Sequence, residues 1–440
     1  MLPVLLALAS ISFQQPPQKP ALLLISIDGL RPDTVLEADK YALKIPRLRR
    51  ILQHGAHARG VRGVLPTVTY PSHTTLITGV RPTKHGIYSN LSFDPLGQNL
   101  SGWNWYSEDI HSPTLWEVAA KAGLDVSSVS WPVSVGAPGV KYLVPEYWRA
   151  PVFEDDAKLV RALSVPPGMM AEIEKTAGPY VNNLDEAEPG DRQRTRYAAA
   201  IIRMKRPQLT TVHLASLDHL QHAGGPFSPE SLATLEQIDG EVGELEDALQ
   251  AVYPQALVCI VSDHGFARTD HSLNLLPAFV AAGLVAMTGD RVTDWKAIPH
   301  LDGGSASIVL KDPSDTATRA KVEELLRSLA ADPANGIERI LGAREIAEFG
   351  GWPRAAYGID MKTNFSLVAT GPQTQAHPAT GTHGYAPSHP ELLASFFVAG
   401  PGIRAGLDLG EIDMRSIAPT LAALLGLTMP SADLPPLPLQ

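Results

Sequence analysis

Cysteine is almost missing from this chain. Its 440 residues include one, Cys259, so no intramolecular disulfide and no thiolate metal cluster can form within one chain. Cys259 falls in the apolar run LVCIVSD and reads as a buried core residue. Any metal site must therefore be built from His, Asp and Glu. Runs rich in Lys or Arg are also missing, and the net charge is −10, which excludes a groove for polymeric nucleic acid. A small anionic substrate is not excluded, because bound metal ions can dominate the local charge. Long apolar runs are lacking too: Leu2 to Ile11 is too short to span a bilayer, and no later segment reads as a transmembrane anchor.

What is present is an ordinary globular composition, 44% apolar and 19% charged, in a chain long enough to bury a large core. The amino terminus, MLPVLLALASISFQQPPQKPA, resembles a secretory signal with a small-residue site near Ala7-Leu8-Ala9, followed by a Pro/Gln-rich leader to residue 20. Its first residues carry no Lys or Arg, and the competing reading is a disordered leader on a cytosolic enzyme. The expectation is an exported protein, periplasmic or secreted. Residues 21–430 read as one catalytic domain, and 431–440 as an extended, uncommitted tail.

Four apolar runs read as buried strands: ALLLISID (21–28), TVHLASLD (211–218), ALVCIVSD (256–263) and ASFFVAG (394–400). Three of them end on an aspartate at the strand's carboxyl end, where open α/β sheets bind ligands. Helical patterns alternate with them. SPTLWEVAAKAG (112–123) opens on a Ser-Pro cap signal, and RSIAPTLAALLG (415–426) is an amphipathic closing helix. SPESLATLEQIDGEVGELEDALQAV (228–252) has an acidic face that reads as solvated. The alternation predicts an α/β fold with a mostly parallel central sheet and helices on both faces. Residues 135–200 and 285–375 fit it poorly and read as insertions that cover the site.

Asp218 and His222, at i and i+4 in SLDHLQHAGGP, can reach one ion. Asp263 and His264 adjoin in VSDHGF. With Asp28 of Asp28-Gly29 and His383 of GTHG they make six ligands, enough for two zinc ions with open positions for substrate.

The ordered set ISIDGLRPD (25–33), PTVTYPSHTTLITGVRPTKHGI (66–87), LDHLQHAGGP (217–226), VSDHGF (261–266) and THG (382–384) resembles the type I phosphodiesterase / nucleotide pyrophosphatase family of the alkaline phosphatase superfamily. IDMRSIAPTLAALLGL (412–427) resembles that family's closing helix. The resemblance implies an alkaline-phosphatase-like fold and two Zn2+ ions. Asp28, Asp263 and His264 would hold one ion, with Thr69 on it, and Asp218, His222 and His383 the other. Thr69, in Thr69-Tyr70-Pro71-Ser72-His73, would be the nucleophile, forming a phosphothreonine. Asn90 would donate its amide to a non-bridging phosphoryl oxygen. The family's Phe-Pro-Asn-His stands here as Tyr-Pro-Ser-His, so what stacks near the leaving group is open. Tyr70 reads either as a substrate-stacking residue or as a core aromatic.

Thr67, Thr74 and Thr75 are alternative hydroxyls off the motif position. His73 and His85 read as structural hydrogen-bonders and His213 as core. His219 matches no ligand position, and Trp131 reads as packing or as a residue beside the pocket. The superfamily's monoesterases place Arg or Lys-x-Arg on the extra phosphate charge, and 126–139 contains neither residue. Cleavage of phosphodiesters or phosphoanhydrides such as nucleotides is therefore expected. A phosphate monoesterase is the runner-up, with Lys141 and Arg149 as the residues that would favour it, and a phosphoryl-group transferase is the third reading.

Overall fold

The computed structural model describes residues 20–99, 102–149, 155–181 and 188–440. The signal peptide expected in 1–20 lies outside the described residues but for Pro20.

Eight strands form the central sheet: β1 (Leu22–Ile27), β2 (Ala56–His57), β3 (Val126–Val129), β4 (Tyr142–Val144), β5 (Leu209–Leu214), β6 (Leu257–Val261), β7 (Phe396–Ala399) and β8 (Leu407–Asp408). Their order is β8-β2-β7-β6-β1-β5-β3-β4, and all neighbours pair in parallel except β7, which runs against β6 and β2. The expected mostly parallel α/β sheet is present, although the run 394–400 supplies its antiparallel strand.

All six residues of β1 are buried. Leu23, Ile25 and Ile27 face one core and Leu22 and Leu24 the other, which is why the strand reads as an unbroken apolar run. In register, Leu22 lies between Leu209 of β5 and Leu257 of β6, so the carboxyl ends of these three strands reach one edge together.

Four helices matter most for the site: α1 (Thr69–Thr78), α2 (Glu188–Lys205), α3 (Ser216–Gly224) and α4 (Pro229–Val252). Ser228 caps α4 by accepting from Ser231 N–H. The acidic face of α4 is not solvated as expected: Asp239, Glu241 and Glu246 are buried. Asp239 accepts the backbone N–H of Arg47 and Leu48, so it caps the helix Pro46–His54, which has no side-chain cap of its own. Glu246 meets Arg50 at 2.6 Å. The helix in 112–123 begins at Leu115, and Thr114 with Glu117 forms its capping box in place of the Ser-Pro signal.

The expected insertion at 135–200 narrows. β4 extends the central sheet, and Tyr197, Ile201 and Ile202 of α2 belong to the core on one of its faces. The segment 285–375 carries a second sheet, packed in a core that it shares with Leu273, Phe279 and Tyr385. Ala297–Leu301, Ser305–Leu310, Ala355–Met361 and Ile337–Leu341 make this four-stranded antiparallel sheet, and Val322 and Leu326 of the helix Thr316–Ala331 help to fill the core.

The tail 431–440 is extended but docked. Leu439 is buried, Leu437 N–H donates to Thr420 Oγ1 at 2.8 Å, and Asp433 pairs with Lys84 and Arg415. Cys259 is in the core, and burial pushes its thiol up.

The accessory sheet is clamped to the segment after His383. Asp360 accepts from Ala386 N–H at 2.9 Å, from Arg339 at 2.7 Å and from His389 Nε2 at 2.9 Å. Burial opposes a charge on His389, but Asp360 outweighs it and holds the imidazole above its ordinary 6.5. A raised folded value means the contribution is complete below about pH 6.5 and fades as pH rises through that value. His389→Gln is therefore expected to destabilise the fold more at about pH 6 than at about pH 9, read by urea unfolding. An equal loss at both would assign His389 to packing alone.

Candidate functional site

The loops after β1, β5 and β6 deliver the acidic groups. Asp28 follows β1 directly, and Asp263 lies two residues past β6. Asp218 is not at the strand end but in the first turn of α3, which puts it one turn before His222. His222 Nε2 stands 3.4 Å from Asp218 Oδ2, and His383 Nε2 3.6 Å from Asp218 Oδ1. His264 Nε2 lies 3.2 Å from Asp263 Oδ2 and 3.4 Å from Asp28 Oδ1. The His264 and His383 rings stack with centroids 3.8 Å apart. All six predicted ligands thus converge.

Two sets of potential metal donors result: Asp218, His222 and His383, and Asp28, Asp218 and His264. Asp218 belongs to both, so these five residues form one cluster, which Asp263 joins through His264. Asp28 Oδ1, Asp218 Oδ1, Asp263 Oδ2 and His264 Nε2 are buried and have no hydrogen-bond partner. The imidazoles are oriented from behind by backbone carbonyls. His264 Nδ1 donates to Gly265 O at 3.0 Å, His383 Nδ1 to Thr67 O at 3.2 Å, and His222 Nδ1 to Gly381 O at 3.1 Å. This leaves every Nε2 as a lone-pair donor facing the carboxylates, the arrangement metal-binding histidines require.

The electrostatics agree. Burial, then the charges of Asp263 and Asp218, push Asp28 well above the usual carboxylate range. Burial, with His264 and His222 nearby, holds His383 well below 6.5 and therefore neutral. Asp263 is held down: burial works against its charge, but His264, His73 and His213 outweigh it. Carboxylates without a cationic Lys or Arg partner among the described residues, beside imidazole nitrogens, fit divalent cations.

Thr69 opens α1, whose N-terminal amides favour negative charge at that point. It borders a cavity of about 130 Å3 together with Asp28, Asn90, Asp218, His222 and His383. Thr67, Thr74 and Thr75 are fully buried, and their hydroxyls donate to Tyr385 O, Tyr70 O and Val80 O. Of the four threonines considered, only Thr69 opens on this cavity. Asn90 Oδ1 accepts from Tyr70 N–H at 2.8 Å, so its amide nitrogen is the end left for the cavity.

Tyr70 borders the cavity but presents no open ring face to it. Its ring is fully buried, packed edge-on against Trp103 and Trp105, and its hydroxyl donates to Glu146 at 2.9 Å. The half-buried rings on the cavity wall are Trp103 and Trp148, 5.1 Å apart, which sequence reasoning missed. Arg194, also missed, lines the cavity and meets Asp191 at 2.7 Å. Lys141 and Arg149 are engaged elsewhere, by Asp125 and by Asp155 and Asp156. His213 is buried, as expected, yet it borders the cavity beside Asp28 and Glu146. Burial opposes its charge, but hydrogen bonds to Asp28 and Glu146 push it up to about 10.

His73 and His85 are structural. Burial pushes each down to about 3; His73 bonds Thr69 O and Ser26, and His85 bonds Thr75. Trp131 is buried against His73 and Trp116. His219 is at the cavity edge, and His271 and His377 bond Asp270 and Pro378 O.

Fold and site together define an alkaline-phosphatase-like α/β protein with a candidate metal centre at the carboxyl edge of its sheet. The family model described as type I phosphodiesterase / nucleotide pyrophosphatase matches residues 22–348, and the chain belongs to that family. The chain is 22% identical to human ectonucleotide pyrophosphatase/phosphodiesterase family member 1 over 427 residues, 93% of this chain and 40% of the relative. It is 24% identical to a venom phosphodiesterase of Crotalus durissus collilineatus over 263 residues, 58% of this chain and 26% of the relative. The chain thus spans well under half the length of these curated relatives. Murine ectonucleotide pyrophosphatase/phosphodiesterase 5, solved as an inactive form in complex with AMP, superposes with a TM-score of 0.64 at 20% identity. That match covers 95% of this chain and 97% of the murine one.

Gly384 tests the placement of His383. Its φ is +85°, and a Cβ there would lie 1.6 Å from Asp302 O. Gly384→Ala is expected to cost about 2 kcal/mol or more and to weaken divalent-metal uptake, measured by urea unfolding and metal titration. Wild-type values in both would show that the turn does not set the position of His383.

Proposed function

We propose that this protein is an exported hydrolase of phosphodiester or phosphoanhydride bonds, with two zinc ions and a covalent phosphothreonine on Thr69. The observation that carries the reading is the set of unpartnered buried donor atoms on Asp28, Asp218, Asp263 and His264, in the cluster that borders the same cavity as Thr69. Asp28, Asp263 and His264 would hold one zinc, with Thr69 on it, and Asp218, His222 and His383 the other. The zinc ions would supply Lewis acidity, lowering the pKa of a hydroxyl or water and neutralising charge on the entering and departing oxygens.

The chain's own residues do the rest. The Thr69 hydroxyl gives its proton to solvent water, its oxygen attacks phosphorus, and the bond to the leaving oxygen breaks, the departing oxygen taking a proton from water. Water then attacks the phosphothreonine and restores Thr69. Asn90 donates to a non-bridging oxygen as charge accumulates there. Trp103 and Trp148 offer the faces on which a nucleobase stacks, in place of the buried Tyr70. The murine relative solved with AMP supports a nucleotide substrate, and the venom phosphodiesterase and ectonucleotide relatives support export.

Arg194 favours a second reading, a phosphate monoesterase, because a guanidinium on the cavity wall can meet the extra charge of a monoester.

Two measurements test these assignments. Purified protein is expected to hold about two zinc ions, to lose activity in chelator, and in Thr69→Ala to keep its zinc while losing several orders of magnitude in kcat. Activity that survives chelation, or an active Thr69→Ala, would reject the mechanism. In competition, thymidine 5′-p-nitrophenyl phosphate is expected to be cleaved with higher kcat/KM than p-nitrophenyl phosphate. A tenfold preference for the monoester, abolished in Arg194→Met, would establish the second reading instead.

A further inference from the structure

We infer that Glu146 and His213 are positioning residues, forming a buried carboxylate–imidazole–carboxylate chain that aims Asp28 at its metal and ties it to the residue after the nucleophile. The inference rests on the two-zinc reading and concerns residues that the ligand set does not include.

His213, on β5, stands between two carboxylates. Its Nε2 lies 3.0 Å from Asp28 Oδ2, and its Nδ1 lies 3.2 Å from Glu146 Oε2 and 3.2 Å from Ser130 O. The other oxygen of Glu146 accepts from the Tyr70 hydroxyl at 2.9 Å. The other oxygen of Asp28 has no hydrogen-bond partner and faces His264 Nε2 at 3.4 Å. The two Asp28 oxygens therefore play different parts: Oδ2 is pinned by the imidazole, and Oδ1 is left for the metal. A carboxylate held at one oxygen cannot rotate freely, and outer partners of this kind set both the orientation and the affinity of a metal ligand.

The chain has a second consequence. Tyr70 follows Thr69, and its N–H is held by Asn90. Glu146 therefore links three functional points: Asp28 by hydrogen bonds through His213, Asn90 by hydrogen bonds through Tyr70, and Thr69 through its peptide bond to Tyr70. Glu146, Tyr70 and His213 are all nearly inaccessible to solvent, so these bonds face little competition from water. A packing role alone would need neither nitrogen of His213 to face an oxygen. Both do.

The matched amides serve as the experimental substitutes. Gln places its amide nitrogen near the position of His Nε2, and Asn near that of Nδ1. His213→Gln is expected to keep the donor to Asp28 and to stay close to wild type in zinc affinity. His213→Asn and His213→Ala are expected to bind one of the two zincs about 10–100-fold more weakly, measured by chelator competition with circular dichroism as the check on folding. A merely structural role would not separate Gln from Asn. Three folded variants with wild-type affinity for both ions would overturn the inference. If the His213 variants do not fold, Glu146→Gln decides by the same titration: weakened binding of one zinc supports the chain, and unchanged binding of both overturns it. A wild-type protein that takes up no divalent metal would reject the two-zinc reading itself, a result distinct from either.

Discussion

Three carboxylates forced together at one edge of a sheet govern this structure. Two unit charges 4 Å apart repel by about 4 kcal/mol at an effective dielectric of 20, and Asp28, Asp218 and Asp263 crowd around one shared centre. Burial first, and then this repulsion, pushes the Asp28 carboxyl well above its usual range. No lysine or arginine pairs with Asp28, Asp218 or Asp263 among the described residues. The Nε2 atoms of His222, His264 and His383 face the same carboxylates. Positive charge at its centre would stabilise such a cluster, so a bound cation would contribute to folding as well as to chemistry.

The scaffold makes the crowding geometrically inevitable. β5, β1 and β6 are adjacent and parallel, and neighbouring strands lie about 4.8 Å apart. Asp28 and Asp263, placed just beyond two of these carboxyl ends, are therefore within reach of each other, and the first turn of α3 brings Asp218 to them. His383 comes from elsewhere, at the end of the long strand Thr374–Thr382, and needs separate support. The accessory sheet gives that support on two sides. Asp360 holds Ala386, while the turn at Asp302 packs against Gly384 and accepts a hydrogen bond from Ser89, next to Asn90. The segment 285–375 thus positions groups of the site on both sides of the cleft.

Part of this was legible in the sequence. The strand runs and the six clustered Asp and His residues could be read because each carries a local signal: an apolar run ending in aspartate, or a fixed spacing such as Asp218 to His222. Residues whose meaning depends on a distant partner could not. Asp239 resembles any solvated acid on α4 until Arg47 and Leu48 are seen to need a cap. Tyr70 could equally have faced substrate, and only Glu146, 76 residues away, draws its hydroxyl into the protein. Arg194 lies far from 126–139, where a cation for the phosphate was expected, and α2 brings it to the cavity from beyond the next strand. The insertion drawn from 135 was too wide for a related reason. Three residues, Tyr142–Val144, are too short a strand to detect by pattern, yet they extend the sheet and set the start of the loop that carries Glu146 and Trp148.

That loop bears on how specificity and chemistry are coupled. Glu146 faces inward to His213 and Tyr70, while Trp148, two residues on, stands on the cavity wall against Trp103 and Trp105. Trp103 in turn is bridged to Leu91, the residue after Asn90, and Asn104 N–H donates to Asn90 O at 3.0 Å. The aromatic wall and the phosphate-facing groups therefore share one backbone framework. A base stacked on the open face of Trp103 or Trp148 would press on the same two segments that hold Glu146 and Asn90. Binding energy gained from the nucleoside can then help fix Asp28, Thr69 and Asn90 for attack, and that gain is realised at phosphorus when the segments are already joined in this way. A smaller ester that leaves the wall empty would find the same metal donors but lose this contribution to their alignment.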